Sequence, residues 1–411
     1  MMILMNTLPA PLPPPKIRSI VRMLLCFLPL VGMGIDLIAP SLPAMSHALH
    51  ISPMLAKDLI AIYLLGLLAG TFLSGILSDA WGRRYLMCGG FSLLAIVSIL
   101  PPIWPHPGTL LISRLLQGVA IGTFTVLIRS VITDLLAKEA LLRTASWIAT
   151  MWGIGPIIGP MIGGYLQVYI GWQANFLFFA VYGLIGAIAC IGWLPETHHR
   201  RTAFSFKRIK NNFAIILPNR VFVSISLLMG CLYAVLIIFN ALAPFFIQKE
   251  LGYSPIFFGR VAFVLGIIFL SGTFYCRILV KRFTPQQILS KSLPIVLSIA
   301  VFGILLAYQN HTVWSILIPS AFLFFFCGVL YPTCMGANMN MFRELAGSAG
   351  AIVTLINLFV TTSSGFLSSF ISAHSAKPIA YVSTGFILLG WLVYSRATRR
   401  VDSKPATEIT G

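Results

Sequence analysis

The sequence predicts an all-α membrane protein, with twelve transmembrane helices in two six-helix halves and both termini in the cytoplasm. Three observations carry that prediction. Hydrophobic residues make up 58% of the 411 residues and charged ones only 9%, where a water-soluble domain carries roughly a quarter charged; the mean hydropathy is +0.93. The apolar residues fall in runs of about twenty, the length that crosses a bilayer core of ~30 Å. The 28 Lys and Arg, against 10 Asp and Glu, give a formal charge of +18, and they sort by side of the membrane as translocation requires. That sorting explains the charge without a nucleic-acid partner.

Apolar segments bounded by charge, Pro and Gly define the spans in order. Spans 1 to 6 run from Arg22 to Pro43, Leu59 to Leu77, Tyr85 to Trp104, Thr109 to Thr133, Ala145 to Tyr169 and Ala174 to Leu194. Spans 7 to 12 run from Val221 to Ile247, Ile256 to Cys276, Lys291 to Ala307, Val313 to Met335, Leu345 to Ser372 and Pro378 to Tyr394. With both termini inside, 22 of the 28 basic residues lie on the cytoplasmic side. Lys57, Lys249, Arg260 and Lys377 lie on the other, and Arg114 and Arg129 remain inside span 4.

Residues 1–20, with the Pro-rich PAPLPPP stretch, read as a disordered tail. Residues 21–195 form the first half and 221–395 the second. Between them, 196–220 is a basic cytoplasmic linker carrying the His198-His199 pair, and 396–411 is a cytoplasmic tail. A trace of repetition supports the division: Gly75, Asp79 and Arg83-Arg84 at the exit of span 2 have a counterpart in Gly272, Cys276 and Val280-Lys281 after span 8. Two such halves with a site at the midplane between them are a recurrent transporter plan. The seven cysteines sit in or at the ends of apolar segments without paired spacing, as small apolar fillers do.

Ionisable groups inside the hydrocarbon are expensive and mark function. Of the ten acids, only Asp36 falls within a span away from its ends. Counting along the helices puts Asp36 about 20 Å and Arg114 about 22 Å from the inner face, so the two share a depth. A carboxyl held away from water is cheaper when neutral, whereas a nearby arginine favours its charge, so such a group can load and release a proton. Asp36 therefore reads as a proton-coupling site; the alternatives are a cap on the helix break before Pro40 and Pro43, or a fixed structural ion pair.

Arg129 lies fifteen residues after Arg114, on nearly the same helix face. It is either a solvated charge at the helix end or a second cavity arginine, which an anionic group on a cargo could neutralise. In span 5, GIGPIIGPMIGG places Gly153, Gly155, Gly159, Gly163 and Gly164 among Pro156 and Pro160. Glycines four apart admit a close neighbour, and prolines bend the helix, which suits a gate or an ordinary packing seam equally. In GILSDAWGRRYL, Asp79 is placed to hold the N-terminal amides of span 3, with Arg83 and Arg84 at the headgroups. No enzyme signature appears: no mid-span histidine, no G-x-S-x-G elbow and no P-loop. Transport would then be driven by a gradient, with neither cofactor nor metal.

GILSDAWGRRYL resembles the loop motif after helix 2 of the major facilitator superfamily, and LISRLLQGVAIG, with Arg114, resembles its helix 4 motif. GIGPIIGPMIGG resembles the helix 5 motif of its antiporters. Together with IDLIAPSLPAM around Asp36, RSVITD, GWQANF, LPET and GYSP, the pattern is similar to the Bcr/CflA subgroup of drug/proton antiporters. The resemblance implies proton-coupled efflux, with Asp36 as the helix 1 acid and Arg114 as its partner. It implies a conformational switch at Asp79, Gly82, Arg83 and Arg84, and an antiporter motif built on Gly155 and Pro156. One departure stands out: Gln173 follows the tryptophan where the subgroup usually has arginine.

The expected protein is a monomeric multi-pass exporter in a bacterial inner membrane, moving a small molecule against protons by alternating access through the lipid bilayer. Cavity walls are expected from spans 1, 4, 7 and 10, with Tyr63, Gln117, Tyr233, Asn240 and Asn338 as polar candidates. The same fold could export an endogenous anion, such as a siderophore or metabolite; a membrane enzyme or receptor is the reading from another class.

Overall fold

A computed structural model describes residues 13–197, 206–309 and 312–402. It contains twelve helices long and apolar enough to cross a membrane, and no strand among the described residues. Span 1 is broken into Pro14–Phe27, Leu30–Asp36 and Leu42–Ala48, with a 3-10 turn at Ala39–Ser41. Prolines at 29, 40 and 43 account for the breaks, since each lacks a backbone donor. Spans 2 to 6 are Pro53–Trp81, Arg83–Ile103, Pro107–Leu135, Lys138–Tyr169 and Gln173–Trp193. Spans 7 to 12 are Arg220–Phe245, extended by a π-turn at Phe246–Glu250, then Pro255–Leu279, Pro285–Gln309, Trp314–Met341, Ala346–Ser369 and Lys377–Asp402.

Three boundaries differ from expectation, one being the tail expected from residue 396, where span 12 continues as helix to Asp402. The tail expected over residues 1–20 gives way to helix at Pro14, because proline is well suited to a first turn whose N–H groups have no intrahelical acceptor. The linker expected over 196–220 contains a further helix, Phe206–Ile216, held to span 11 by Asn212 Nδ2 donating to Ser348 Oγ at 2.9 Å. The His198-His199 pair lies outside the described residues, as does the tail beyond Asp402.

Glycine seams bring the helices together in matching ways in the two halves. In the first, a Cβ on Gly66 or Gly118 would lie 2.0 Å from Leu115 O and 2.2 Å from Tyr63 O, so spans 2 and 4 touch backbone to backbone. In the second, Gly272 and Gly328 join spans 8 and 10 likewise, each Cβ position 2.0 Å from a carbonyl of the facing helix. Close contacts of this kind let van der Waals packing and short backbone approaches do what the hydrophobic effect cannot do between helices in lipid.

Between the halves, span 5 packs along span 8 and span 2 along span 11. Hydrogen bonds joining the halves cluster at the end carrying residues 49–52 and 251–254, the closed end. There Gln248 Nε2 donates to Pro40 O at 2.9 Å, and Lys57 Nζ, buried, donates to Ile371 O. Toward the opposite end Arg129, Thr133 and Trp147 are exposed.

Candidate functional site

Asp36 is the last residue of the middle piece of span 1, where the break turns the chain toward Pro40. Its side chain is 3% exposed. It does not cap the break: Asn240 Nδ2 of span 7 donates to Asp36 Oδ1 at 2.5 Å, across the interface between the halves. An amide carries both a donor and an acceptor, so Asn240 can satisfy either the carboxylate or the acid. Gly159 of span 5 packs beside this pair, its Cβ position falling 3.5 Å from Asp36 Cβ, an ordinary contact distance.

The expected pairing of Asp36 with Arg114 is not formed. Arg114 is fully buried, and its guanidinium is already engaged: Nε donates to Leu59 O at 3.1 Å, Nη1 to Gln117 Oε1 at 2.9 Å and Nη2 to Gly34 O at 2.5 Å. Gly34 lies in the last turn of a helical piece, where carbonyls lack an intrahelical donor. Arg114 thus pins spans 1, 2 and 4 around the break and holds Asp36 through the backbone. Its guanidinium also stacks over Tyr63, 4.4 Å from the ring centre, and Tyr63 Oη donates to Val31 O at 3.3 Å.

The polar candidates separate by place. Gln117 is buried and passes the chain of bonds on to Ser98 Oγ at 2.8 Å. Asn338, expected in the cavity, is buried too, its Nδ2 donating to Ser226 Oγ at 3.0 Å and so tying span 10 to span 7. Tyr233 of span 7 is half-buried, its ring centre 5.6 Å from that of Tyr331 of span 10. Arg129 lies further along span 4, toward the opposite end, and neither of the two ion pairs among the described residues includes it.

At the loop after span 2, Gly82 turns the chain with φ of 91°. The amides of Arg83 and Arg84 that open span 3 donate to Glu196 at 3.0 and 3.2 Å. Glu196, the acid of the LPET motif, holds these amides; the side chain of Asp79, expected there, lies outside the described residues. Arg83 forms an ion pair with Asp134 at the end of span 4, and Arg84 Nη2 donates to Ile191 O at 2.8 Å. The loop is thereby locked to spans 4 and 6 of its own half.

The span 5 motif is a seam with two faces. Cβ positions on Gly155 and Gly163 fall 2.1 Å from Pro29 O and 1.9 Å from Leu37 O of span 1, while that on Gly164 falls 2.6 Å from Pro255 O of span 8. Pro156 packs on Gly32, and Pro160 O closes on Gly259. Gly153 faces open space.

Comparisons with known proteins agree with this architecture. The family profile described as Major Facilitator Superfamily matches residues 24–369. The chain belongs to the major facilitator superfamily. It is 22% identical over 375 residues to a bicyclomycin resistance protein homolog of Haemophilus influenzae, covering 89% of this chain and 93% of that protein. It is 25% identical over 341 residues to multidrug resistance protein D of Escherichia coli, covering 81% and 84%. These relatives are consistent with the Bcr/CflA subgroup. The crystal structure of a D-xylose-proton symporter superposes with a TM-score of 0.73 at 16% identity, over 96% of this chain and 99% of that one, which shows the shared fold. As a superfamily member the chain is a multi-pass membrane transporter of small molecules and not an enzyme.

Sequence reasoning missed Tyr331, whose hydroxyl accepts from Asn357 Nδ2 at 3.4 Å, Ser98 and the role of Lys57. Tyrosine and serine inside an apolar run carry no charge to flag them, and Lys57, four residues into span 2, read as an outer-face charge.

Proposed function

We propose that the protein is a drug exporter of the bacterial inner membrane that expels small molecules in exchange for protons, with Asp36 carrying the proton. It works as a monomer with both termini in the cytoplasm and draws on the proton gradient, with no bound cofactor. The observation that carries the reading is the buried Asp36–Asn240 bond, which joins the two halves at the level where alternating access must separate them. The drug-resistance names of the relatives support the cargo class.

In the proposed cycle the closed end faces outside. Opening it parts spans 1 and 7, breaks the bond to Asn240 and brings the carboxylate to water, where it takes up a proton. Reclosing buries the neutral acid, which costs far less than burying the charge. Cargo entering from the cytoplasm then displaces the proton inward, because cavity and carboxyl share the space between the halves. Arg114 holds the break of span 1 in place throughout, so that Asp36 meets Asn240 in one geometry.

Everted vesicles test this. With an acid interior, adding bicyclomycin should release protons, read as acridine orange dequenching, and Asp36→Asn should abolish the signal while the protein remains in the membrane. Proton release by Asp36→Asn equal to that of the wild type would contradict the assignment.

A further inference from the structure

We infer that the seam between spans 5 and 8 binds an anionic phospholipid, its phosphate held by Arg260 and Tyr165 and its glycerol and upper acyl chain lying against an apolar groove of span 5. Glycines bring the two helices together here: a Cβ on Gly164 would fall 2.6 Å from Pro255 O, and one on Gly259 would fall 2.6 Å from Pro160 O. The residue that follows each glycine is thereby carried to the other helix. Arg260 Nη2 donates to Tyr165 Oη at 3.0 Å, with the guanidinium 5.9 Å from the centre of the ring.

Arg260 has no counter-charge from the described residues. It is exposed, and neither of the two ion pairs among them includes it. The acids of the closed end lie elsewhere: Glu250 is bonded to His374 at 2.7 Å, and Asp58 is on span 2, which packs at the other seam against span 11. A guanidinium presents five N–H donors, and the bond to Tyr165 uses one of them. The tyrosine oxygen accepts that bond, so its own proton is left to be donated to the same anion. A phosphate can take two guanidinium bonds side by side and still accept the hydroxyl.

Depth and shape point to a lipid as its source. Span 8, Pro255–Leu279, has 25 residues, about 37 Å of helix against a hydrocarbon core of ~30 Å. Arg260 stands about 7–8 Å from the Pro255 end, close to the boundary of hydrocarbon and headgroups where arginine and tyrosine anchor. Beside it Tyr165 stacks on Tyr169, with ring centres 6.2 Å apart and planes at 7°. The two rings join Met161, Ile162, Leu166 and Ile170 in lining a groove of about 280 Å³. Met161 is one turn deeper than Tyr165, so a lipid whose phosphate meets Arg260 lays its first methylenes along the groove. Arg260 and Tyr165 belong to opposite halves, and a lipid held by both favours the closed end.

The test uses the full chain in phosphatidylcholine nanodiscs, with the native cysteines replaced and a fluorophore attached through Val168→Cys, an exposed position of span 5 beside the groove. A nitroxide on the upper acyl chain is carried by a minor fraction of either phosphatidylglycerol or phosphatidylcholine with the same chains, and quenching is titrated against that fraction. The expected result is half-quenching by phosphatidylglycerol at a fraction roughly ten-fold below that for phosphatidylcholine, the scale of one charge-assisted contact. A fluorophore attached through Trp104→Cys, exposed at the end of span 3, should be quenched equally by the two lipids. Arg260→Gln should erase the preference at position 168, Arg260→Lys keep part of it, and Tyr165→Phe weaken it several-fold. Absence of the preference in the wild type, its persistence in Arg260→Gln, or an equal preference at position 104 would overturn the inference. Displacement by soluble glycerol 1-phosphate at the concentration of the lipid itself would also overturn it, in favour of a free phosphate. Neither cargo nor gradient is present, so the result is independent of proton coupling by Asp36.

Discussion

Arg114 shows how one side chain can organise a site it does not directly serve. Three hydrogen bonds from one buried guanidinium tie the break in span 1 to spans 2 and 4, so removing it leaves the Gly34 carbonyl, in the last turn of a helical piece, without a donor. Arg114→Gln should lower stability by about 3 kcal/mol, measured as a fall in the unfolding midpoint of purified protein, and should impair transport through misplacement of Asp36. A midpoint unchanged from the wild type would show that Gly34 and Leu59 find other partners. At this scale Asp36 was legible in the sequence, because an acid deep in an apolar run stands out by its cost. Its partner was not, since Asn240 and Arg114 both lie at a suitable depth and only the packing of span 7 against span 1 decides between them.

At the scale of elements, glycines mark where helices touch. Gly153 and Gly155 are two residues apart in one motif, yet the first faces open space and the second meets Pro29 O at 2.1 Å. Gly153→Ala should therefore be neutral or slightly stabilising, whereas Gly155→Ala should force spans 1 and 5 apart and cost about 1–3 kcal/mol. Thermal unfolding of the two variants side by side checks the difference, and equal effects would remove the seam. The start of span 3 gives a second element-scale prediction. Glu196→Ala takes both acceptors from the amides of Arg83 and Arg84 and should cost about 1 kcal/mol, read the same way. The spacing of the glycines announced a close contact, but spacing is blind to the identity of the facing helix. The repeat of Gly75 and Asp79 in the second half was a fainter trace than the matching seams of spans 2 with 4 and 8 with 10.

For the whole molecule, the number of spans and the division into two halves were readable because burial in lipid leaves no other place for twenty-residue apolar runs. Which end is closed was not readable: it depends on contacts between residues more than two hundred positions apart, such as Asp36 with Asn240, Pro40 with Gln248 and Lys57 with Ile371. Lys57 contributes a charge-assisted bond from span 2 to the end of span 11, and Lys57→Met should shift the population away from the closed end by roughly ten-fold. Labels on exposed Ile170 and Phe370, one in each half at that end, report the shift as a longer distance by electron–electron resonance.

The same pair of labels, with the native cysteines replaced, tests the central claim without any cargo. A charged Asp36 is costly to bury and a neutral one is not, so raising the pH should move the wild-type distribution from short toward long distances as the closed end opens. Asp36→Asn, neutral at every pH, should keep the short distance throughout. If Asp36→Asn lengthens with pH as the wild type does, the proton that governs the closed end is carried by another group.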